Sequence, residues 1–204
     1  MIGGEECRLL KEVIGLSSPR RGGAPTYRLY HVVKALEHSA RQPLGRHRIS
    51  ALLGLGEAST RTLMEWLVET GLALKRGRGI EPSEKGLKLV KAMNKLLEIQ
   101  ENIASPIRGG VAVVVPTIDP PEDLTGVYKI RDYLVMEGCR ISVIGGVKEG
   151  KPVFPGLEGE LASTIYEAVE DLGISDRALV IFIPRECLYN AYNAVARMVA
   201  EEVC

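Results

Sequence analysis

The stretch from Ile49 to Val90 decides the fold of the amino-terminal half of this chain. It reads ISALLGLGEASTRTLMEWLVETGL over residues 49–72 and ALKRGRGIEPSEKGLKLV over residues 73–90. A short apolar helix leads into a glycine turn, and a second helix then opens on hydroxyl side chains and an arginine. Gly71 ends this second helix, a basic hairpin follows, and Ser83 marks the start of another helix. The predicted order is therefore helix, turn, helix, hairpin and helix.

Flanking segments extend this pattern. Helices are predicted over residues 5–14, from Thr26 to His38, over residues 46–53 and from Ser83 to Ile103, where apolar residues recur at nearly 3.5-residue spacing. Together these elements predict a winged helix-turn-helix domain over residues 1–104 with a long carboxy-terminal helix. In such a module the second helix of the pair enters the major groove of DNA.

Two groups of residues are predicted to contact DNA. Ser59, Thr60, Arg61 and Thr62 lie in the first turn of the second helix, where hydroxyls and the helix amino terminus suit phosphate oxygens and an arginine suits a guanine edge. Arg76 and Arg78 flank the glycine of the hairpin turn, within reach of a minor groove or the backbone. The alternatives are a helix cap at Ser59 with a solvated Arg61, and hairpin charges that only prevent edge-to-edge aggregation.

Charge is divided unevenly along the chain, although its 26 basic and 26 acidic residues cancel. Residues 1–100 carry 17 Lys and Arg against 10 Asp and Glu, a balance of +7, which leaves −7 for residues 101–204. This asymmetry indicates that the first half contacts a polyanion, the alternative being two ordinary solvated surfaces.

The carboxy-terminal half alternates between predicted strands and helices. Residues 105–110 are the predicted linker, and residues 111–204 follow with the order β-α-β-β-α-β-α. A two-residue turn at Glu149-Gly150 makes the second and third strands antiparallel neighbours, which favours a ferredoxin-like split β-α-β sheet over a doubly wound one. The complete prediction is an α+β chain: a winged helix-turn-helix domain followed by a ferredoxin-like domain.

A ligand site is predicted where the first strand of the second domain meets its first helix. Backbone amides near Thr117 would hold a carboxylate or phosphate, and Asp119 and Asp123 would hold an amine. The alternative is that Asp119 only caps a helix before a proline. Gly145-Gly146 would either admit a ligand to the sheet or mark a bulge.

Other classes of function find little support in the sequence. It contains no phosphate-binding loop, dinucleotide fingerprint or Gly-x-Ser-x-Gly motif, so no catalytic residue and no cofactor is predicted. The four cysteines are scattered singly, which predicts no metal site and indicates reduced thiols in a cytoplasmic protein. No signal peptide or membrane-spanning segment is predicted, and only two Gln and four Asn occur, a scarcity typical of thermophiles.

The segment STRTLMEWLVETGLA, the basic turn and then PSEKGLKLV resemble the winged-helix regulators of the multiple-antibiotic-resistance type and their archaeal relatives. The resemblance covers about residues 26–100, and Ser83-Glu84-Lys85-Gly86 matches the start of the helix after the wing. The wing departs from the family because it is short and lacks the usual Asp-x-Arg. The two-part layout also resembles an archaeal family in which a winged helix precedes a domain of unknown function.

The expected function is that of a cytoplasmic transcriptional regulator that binds double-stranded DNA as a homodimer. Its second domain would sense a small-molecule effector, dimerise, or do both. Two alternatives remain open at this point: a winged helix that binds protein, and an enzyme tethered to a DNA-binding module.

Overall fold

The computed structural model describes residues 3–17, 27–103, 105–116 and 118–204. They form two compact units, one over residues 3–94 together with Cys204 and one over residues 95–203. Helices and antiparallel sheets occur in both, so the chain is of the predicted α+β class. The division between Asn94 and Lys95 precedes the predicted linker at 105–110, so the first unit ends before the predicted boundary at 104.

The amino-terminal unit contains five helices and three short strands among the described residues. They are α1 (Gly4–Ser17), α2 (Leu29–Ser39), β1 (Leu44–Gly45), α3 (Arg46–Leu53), α4 (Glu57–Glu69), β2 (Ala73–Arg76), β3 (Gly79–Pro82) and α5 (Glu84–Leu96). The strands form an antiparallel sheet in the order β1-β3-β2. Thr26, the predicted cap of α2, lies outside the described residues.

Apolar residues at helical spacing form the core of this unit. Residues of helices α2 to α5 that are almost completely buried include Val32, Leu36, Ile49, Leu63, Leu67, Leu89 and Met93. Gly86 lets α5 lie close to the chain after α4, because a Cβ there would stand 2.1 Å from the Leu72 carbonyl oxygen. Ile49 and Leu53 of α3 are buried, as are Leu63 and Leu67 of α4. Leu52 is 52% exposed, although its helical spacing predicts that it faces the core with Ile49 and Leu53.

The helix predicted to continue to Ile103 is shorter than expected. It ends at Leu96, and residues 98–100 form strand β4, which pairs antiparallel with β5 (Gly110–Val115). Ile103 packs against the core of the carboxy-terminal unit. Pairing with β5 satisfies backbone hydrogen-bonding groups that a longer helix would leave open at that sheet edge.

The carboxy-terminal unit is a five-stranded sheet with three helices. After β4 and β5 come α6 (Leu124–Met136), β6 (Val143–Lys148), β7 (Lys151–Val153), α7 (Glu160–Glu170), β8 (Ala178–Pro184) and α8 (Leu188–Glu202). The sheet order is β4-β5-β8-β6-β7, and every neighbouring pair is antiparallel. Strands β5 and β6 thus run parallel with β8 between them, and α6 lies between these two strands in sequence.

This split β-α-β sheet differs from the predicted ferredoxin-like order in two respects: it has the additional edge strand β4, and a different strand lies between the two parallel strands. In the ferredoxin-like order the inserted strand is the third of the β-α-β-β-α-β series, whereas here it is β8, the fourth. Strand β7 has only three residues, and Pro152 lacks a backbone donor, so it suits the edge of the sheet. Strand β8 is buried along all seven residues and occupies the centre.

Aromatic packing fills the space beside Gly145. A Cβ at Gly145 would stand 2.2 Å from Cδ1 of Phe154, whose ring stacks on Phe182 with centroids 6.3 Å apart. At Gly146 a Cβ would meet the Ala178 carbonyl oxygen at 2.0 Å. Protein atoms therefore fill the space beside the two glycines. Admitting a ligand to the sheet was one of the two uses predicted for this pair.

The prediction that all four cysteines are reduced is wrong for two of them. Cys7 on α1 is disulfide-bonded to Cys204, with 5.4 Å between their Cα atoms and 197 residues of sequence separation. Cys139 and Cys187 are free thiols. Single, widely spaced cysteines give no sequence signal of pairing, since only the fold brings these two together.

Within the part of the chain that the structure describes, no helix combines the length and apolar character needed to cross a lipid bilayer.

Candidate nucleic-acid interface

The turn between α3 and α4 fixes how the second of these helices is presented. Gly54 ends α3 in the left-handed conformation, at φ 64°, and the backbone amide of Leu55 donates to the Ser50 carbonyl. The Ser50 hydroxyl donates to the Leu55 carbonyl oxygen at 2.6 Å, and the Leu55 side chain is buried. Side-chain and backbone hydrogen bonds therefore hold the turn before α4 begins at Glu57.

The hydroxyl residues predicted to contact DNA have other roles. Thr60 is buried with Leu63 and Leu67 on the inward face of α4, and its hydroxyl donates to the Gly56 carbonyl at 3.0 Å. The prediction that Thr60 contacts DNA is therefore wrong, because the side chain faces the core. Thr62 is exposed but donates its proton to the Ala58 carbonyl at 3.1 Å, and Ser59 is half-buried.

Arg61 is on the exposed side of α4, one turn from its start. It lines an open groove of about 850 Å³ bounded by the start of α3, one face of α4 and the β2–β3 hairpin. No acidic residue in the described segments lies within ion-pair distance of its guanidinium, nor is it hydrogen-bonded there. Arg61 thus has no partner among the described residues, and its contact with DNA stays a prediction.

Three further cations of this groove share that property. Arg48, Lys75 and Arg78 line it and have no ion-pair partner among the residues described. Arg46 also lines it, but its Nη2 lies 2.8 Å from Oε1 of Glu57, an ion pair between the starts of α3 and α4. The sequence prediction did not include Arg48, and it interpreted Lys75 as an edge charge that prevents aggregation. The signal for Arg48 was the run Arg46-His47-Arg48 at a helix start.

The hairpin separates the two arginines that the sequence treated alike. Gly77 and Arg78 form a two-residue loop, with Gly77 at φ 56° and Arg76 paired opposite Gly79. Nε of Arg76 lies 2.6 Å from Oε1 of Glu81 on the neighbouring strand, and Arg76 is not part of the groove lining. Arg78 lines the groove whereas Arg76 does not, and contact of either arginine with DNA stays a prediction.

Two carboxylates lie on the same groove. Glu65 and Glu69 follow Arg61 by one and two turns of α4, and both are exposed. Their negative charge opposes a polyanion over the second half of the helix. The free cations therefore make the amino-terminal half of α4, the start of α3 and the hairpin tip the region most favourable to phosphate.

Two residues of the predicted ligand site in the carboxy-terminal unit have partners within the chain, and ligand binding there stays a prediction. Thr117 lies outside the described residues. Asp119 accepts two hydrogen bonds from Nη1 of Arg177, at 3.0 and 3.1 Å, and Asp123 caps α6 by accepting from the Gly126 amide at 2.8 Å. Asp123, rather than Asp119, is the helix cap, and both carboxylates already have partners within the chain.

In the described ranges no group of three or more His, Cys, Asp or Glu is placed to hold a metal ion. Burial, together with a hydrogen bond to the Cys187 thiol, raises the pKa of the Cys139 thiol to about 12. Cys139 is therefore protonated at neutral pH and is a poor nucleophile.

The chain resembles a solved structure over most of its length. No family model matches the chain, and no curated protein matches it. A solved structure described as a hypothetical protein from Pyrococcus horikoshii OT3 is 26% identical, with a TM-score of 0.57. The match covers 85% of this chain and 94% of that one. Its description states no activity. The likeness therefore concerns the fold, and the function has to be inferred from the chemistry of the site.

Proposed function

We propose that the amino-terminal unit is a winged helix-turn-helix that binds duplex DNA, and that the chain is a transcriptional regulator. In this proposal α3 and α4 are the helix-turn-helix, α4 is the recognition helix, and the β2–β3 hairpin is the wing. One observation carries the proposal: Arg61 opens into a groove shared with three other cations that have no acidic partner among the described residues. Unpaired cations around an exposed helix are the electrostatic footprint of a phosphate backbone.

The residues divide into two roles in the proposed complex. Arg61, near the start of α4, would reach a base edge in the major groove, where an arginine pairs with guanine through two hydrogen bonds. Arg48, Lys75 and Arg78 would contact phosphates on either side of the helix and release bound counterions. Glu65 and Glu69 would face away from the phosphates or accept from a cytosine amino group.

Regulation requires a second copy in this proposal. Two recognition helices would read half-sites whose centres lie about 34–36 Å apart along the duplex. The carboxy-terminal unit would join the two copies, and a small-molecule effector that favours one arrangement of the pair would control binding. The effector site stays a prediction. Its position is not assigned, because Asp119 and Asp123 have partners within the chain.

The first experiment is selection of fragments from mixed genomic DNA at several salt concentrations. We expect particular fragments to be enriched, with affinity falling steeply as salt rises. Absence of binding at low salt would contradict the proposal and favour a protein-binding role for the groove. Weak binding without enrichment of particular fragments would show that the protein associates with DNA only non-specifically.

A substitution at Arg61 tests the recognition helix directly. Arg61→Ala should weaken binding to a selected fragment by about 1–3 kcal/mol, or roughly 5- to 150-fold, and change non-specific binding much less. Lys91→Ala on α5 is the control, because it removes the same charge from an exposed position outside the groove lining. Equal losses on both kinds of DNA would make Arg61 a phosphate contact.

A further inference from the structure

Cys139 and Cys187 are the two cysteines that the Cys7–Cys204 disulfide leaves as thiols, and they lie side by side in the carboxy-terminal unit. Cys139 is fully buried, whereas Cys187 is half-buried. The Cys139 thiol donates to the Ile141 carbonyl oxygen at 3.5 Å and is hydrogen-bonded to the Cys187 thiol. Each free thiol of the chain therefore has the other as its neighbour.

The antiparallel packing of α6 and α8 brings these two thiols to the same place. Lys129 and Tyr133 on α6 both donate to the carboxylate of Glu202 at the end of α8, so the two helices run in opposite directions. Cys139 follows the end of α6, and Cys187 directly precedes α8. Because the end of one helix lies beside the start of the other, cysteines that are far apart in sequence become neighbours.

Hydrogen bonds and an ion pair hold the segment that carries Cys139 against α8. Glu137 accepts from Nδ2 of Asn193 at 3.3 Å, and its other carboxylate oxygen lies 3.1 Å from Nη1 of Arg197. The backbone amide of Cys139 donates to the Leu134 carbonyl oxygen at 2.8 Å, which ties it to the last turn of α6. The packing of the two helices therefore fixes the position of Cys139 relative to α8.

The two thiols differ in their access to dissolved reagents. Reaction with an oxidant requires a thiolate that the reagent can reach. Cys187 is partly exposed to solvent, whereas Cys139 is enclosed by protein. Burial also keeps Cys139 protonated, since its thiol has a pKa of about 12. Cys187 is therefore the thiol that a dissolved reagent meets first, and Cys139 is placed to react with whatever forms on Cys187.

We propose that Cys139 and Cys187 are a redox-active dithiol site, which a low-molecular-weight disulfide converts into a second intramolecular disulfide. The Cys187 thiol loses its proton to water, and its sulfur attacks one sulfur of the reagent, which forms a mixed disulfide and releases one half of the reagent as a thiol. Cys139 then loses its proton and attacks Sγ of Cys187, which releases the second half. The chain gives up two electrons and two protons, and the reagent takes up both as two thiols. Contact between the two sulfurs offsets the small thiolate fraction of Cys139.

This chemistry is independent of the proposed DNA binding and is tested on the full chain without DNA, with oxidised glutathione as the probe. The folded parent protein is incubated with the probe, then denatured and alkylated without reduction. Both alkylation sites should be lost and no glutathione retained, and peptide mapping should recover the Cys139 and Cys187 segments linked to each other. The control is the same treatment of denatured protein, which should retain glutathione because the unfolded chain does not hold the two thiols together.

Single serine variants separate the roles of the two thiols. Cys139→Ser should stop at the mixed disulfide and keep one glutathione on Cys187. In Cys187→Ser the buried Cys139 should react with the probe about tenfold more slowly, or less. Circular dichroism and thermal unfolding confirm that both variants fold. A folded parent protein that keeps both thiols alkylatable, glutathione retained on both cysteines, or equal reaction rates of the two variants would each overturn the proposal.

Discussion

Arg76 and Arg78 are two positions apart in sequence, yet the hairpin gives them different electrostatic surroundings. Arg76 is paired with Glu81 across the strands, whereas Arg78 at the loop faces the groove without a partner in the described chain. The sequence showed two arginines around a glycine and gave no sign of which would be neutralised, because that depends on the strand register. A charge that is already paired contributes less to the attraction of phosphate.

The two arginines should therefore respond differently to substitution. Arg78→Ala should weaken DNA binding and lower the slope of log affinity against log salt by about 0.9, the value for one lost phosphate contact. Arg76→Ala is the matched comparison and should change the slope by less. The measurement is a salt titration of binding to one fragment. Similar losses for both arginines would show that the Arg76–Glu81 pair opens on DNA.

His31 is a buried titratable residue of the amino-terminal unit. Burial lowers the pKa of His31 to about 4, against 6.5 for an exposed histidine, and its Nδ1 accepts from the Arg28 amide at the start of α2. The unfolded chain therefore binds a proton that the folded chain does not between about pH 6.5 and 4. The free energy of unfolding should fall as pH falls through this window, by at most roughly 3 kcal/mol. Below about pH 4 the protonation of His31 should cause no further loss.

His31→Gln tests this cause because the amide oxygen can keep the bond to the Arg28 amide without titrating. Denaturant unfolding of the variant should show a smaller decline between pH 6.5 and 4 than that of the parent. Trp66 is the single tryptophan and lies on α4, so its fluorescence reports this unit alone. His47→Gln, at an exposed position, is the control. If the stability of His31→Gln declines between pH 6.5 and 4 as much as that of the parent protein, other groups cause the pH dependence.

At the scale of the element, α4 combines a favourable end and an unfavourable end for DNA. Glu65→Gln and Glu69→Gln each remove a negative charge from the groove lining, and each should raise non-specific DNA affinity by about 0.5 kcal/mol, roughly twofold. Glu84→Gln at the start of α5, outside this lining, is the control. If affinity falls in either groove variant, that carboxylate contacts DNA as an acceptor for a base amino group.

Periodicity predicted the elements of the amino-terminal unit well and the ends of some elements poorly. The apolar spacing of α3 and α4 is unambiguous, and Gly54 and Gly71 mark turns that the structure contains. After Leu96, Ile99 and Ile103 suited both a helix and the start of a sheet. Strand β4 formed because β5 offers an open edge, which is a tertiary effect. Asp119 and Asp123 could each cap a helix, and only the fold pairs Asp119 with Arg177.

At the scale of the whole molecule, the disulfide between Cys7 and Cys204 is the feature furthest from sequence prediction. These residues lie near the two ends of the chain, so spacing carries no information about their pairing. The bond closes a loop of nearly the full chain, which restricts the unfolded ensemble and is expected to stabilise the folded chain by roughly 2–5 kcal/mol. Opening it should therefore lower the unfolding midpoint without removing any packed core residue.

Thiol titration and unfolding test this expectation together. Denatured but unreduced protein should react at two thiols per chain, those of Cys139 and Cys187, and at all four cysteines after reduction. The double variant Cys7→Ser and Cys204→Ser should unfold at lower temperature than the parent and become insensitive to reductant. Cys187→Ser, which leaves the disulfide intact, is the control and should keep that sensitivity. Four reactive thiols before reduction would show that the bond is absent, and an unchanged midpoint after reduction would show that other contacts already hold these two residues in place.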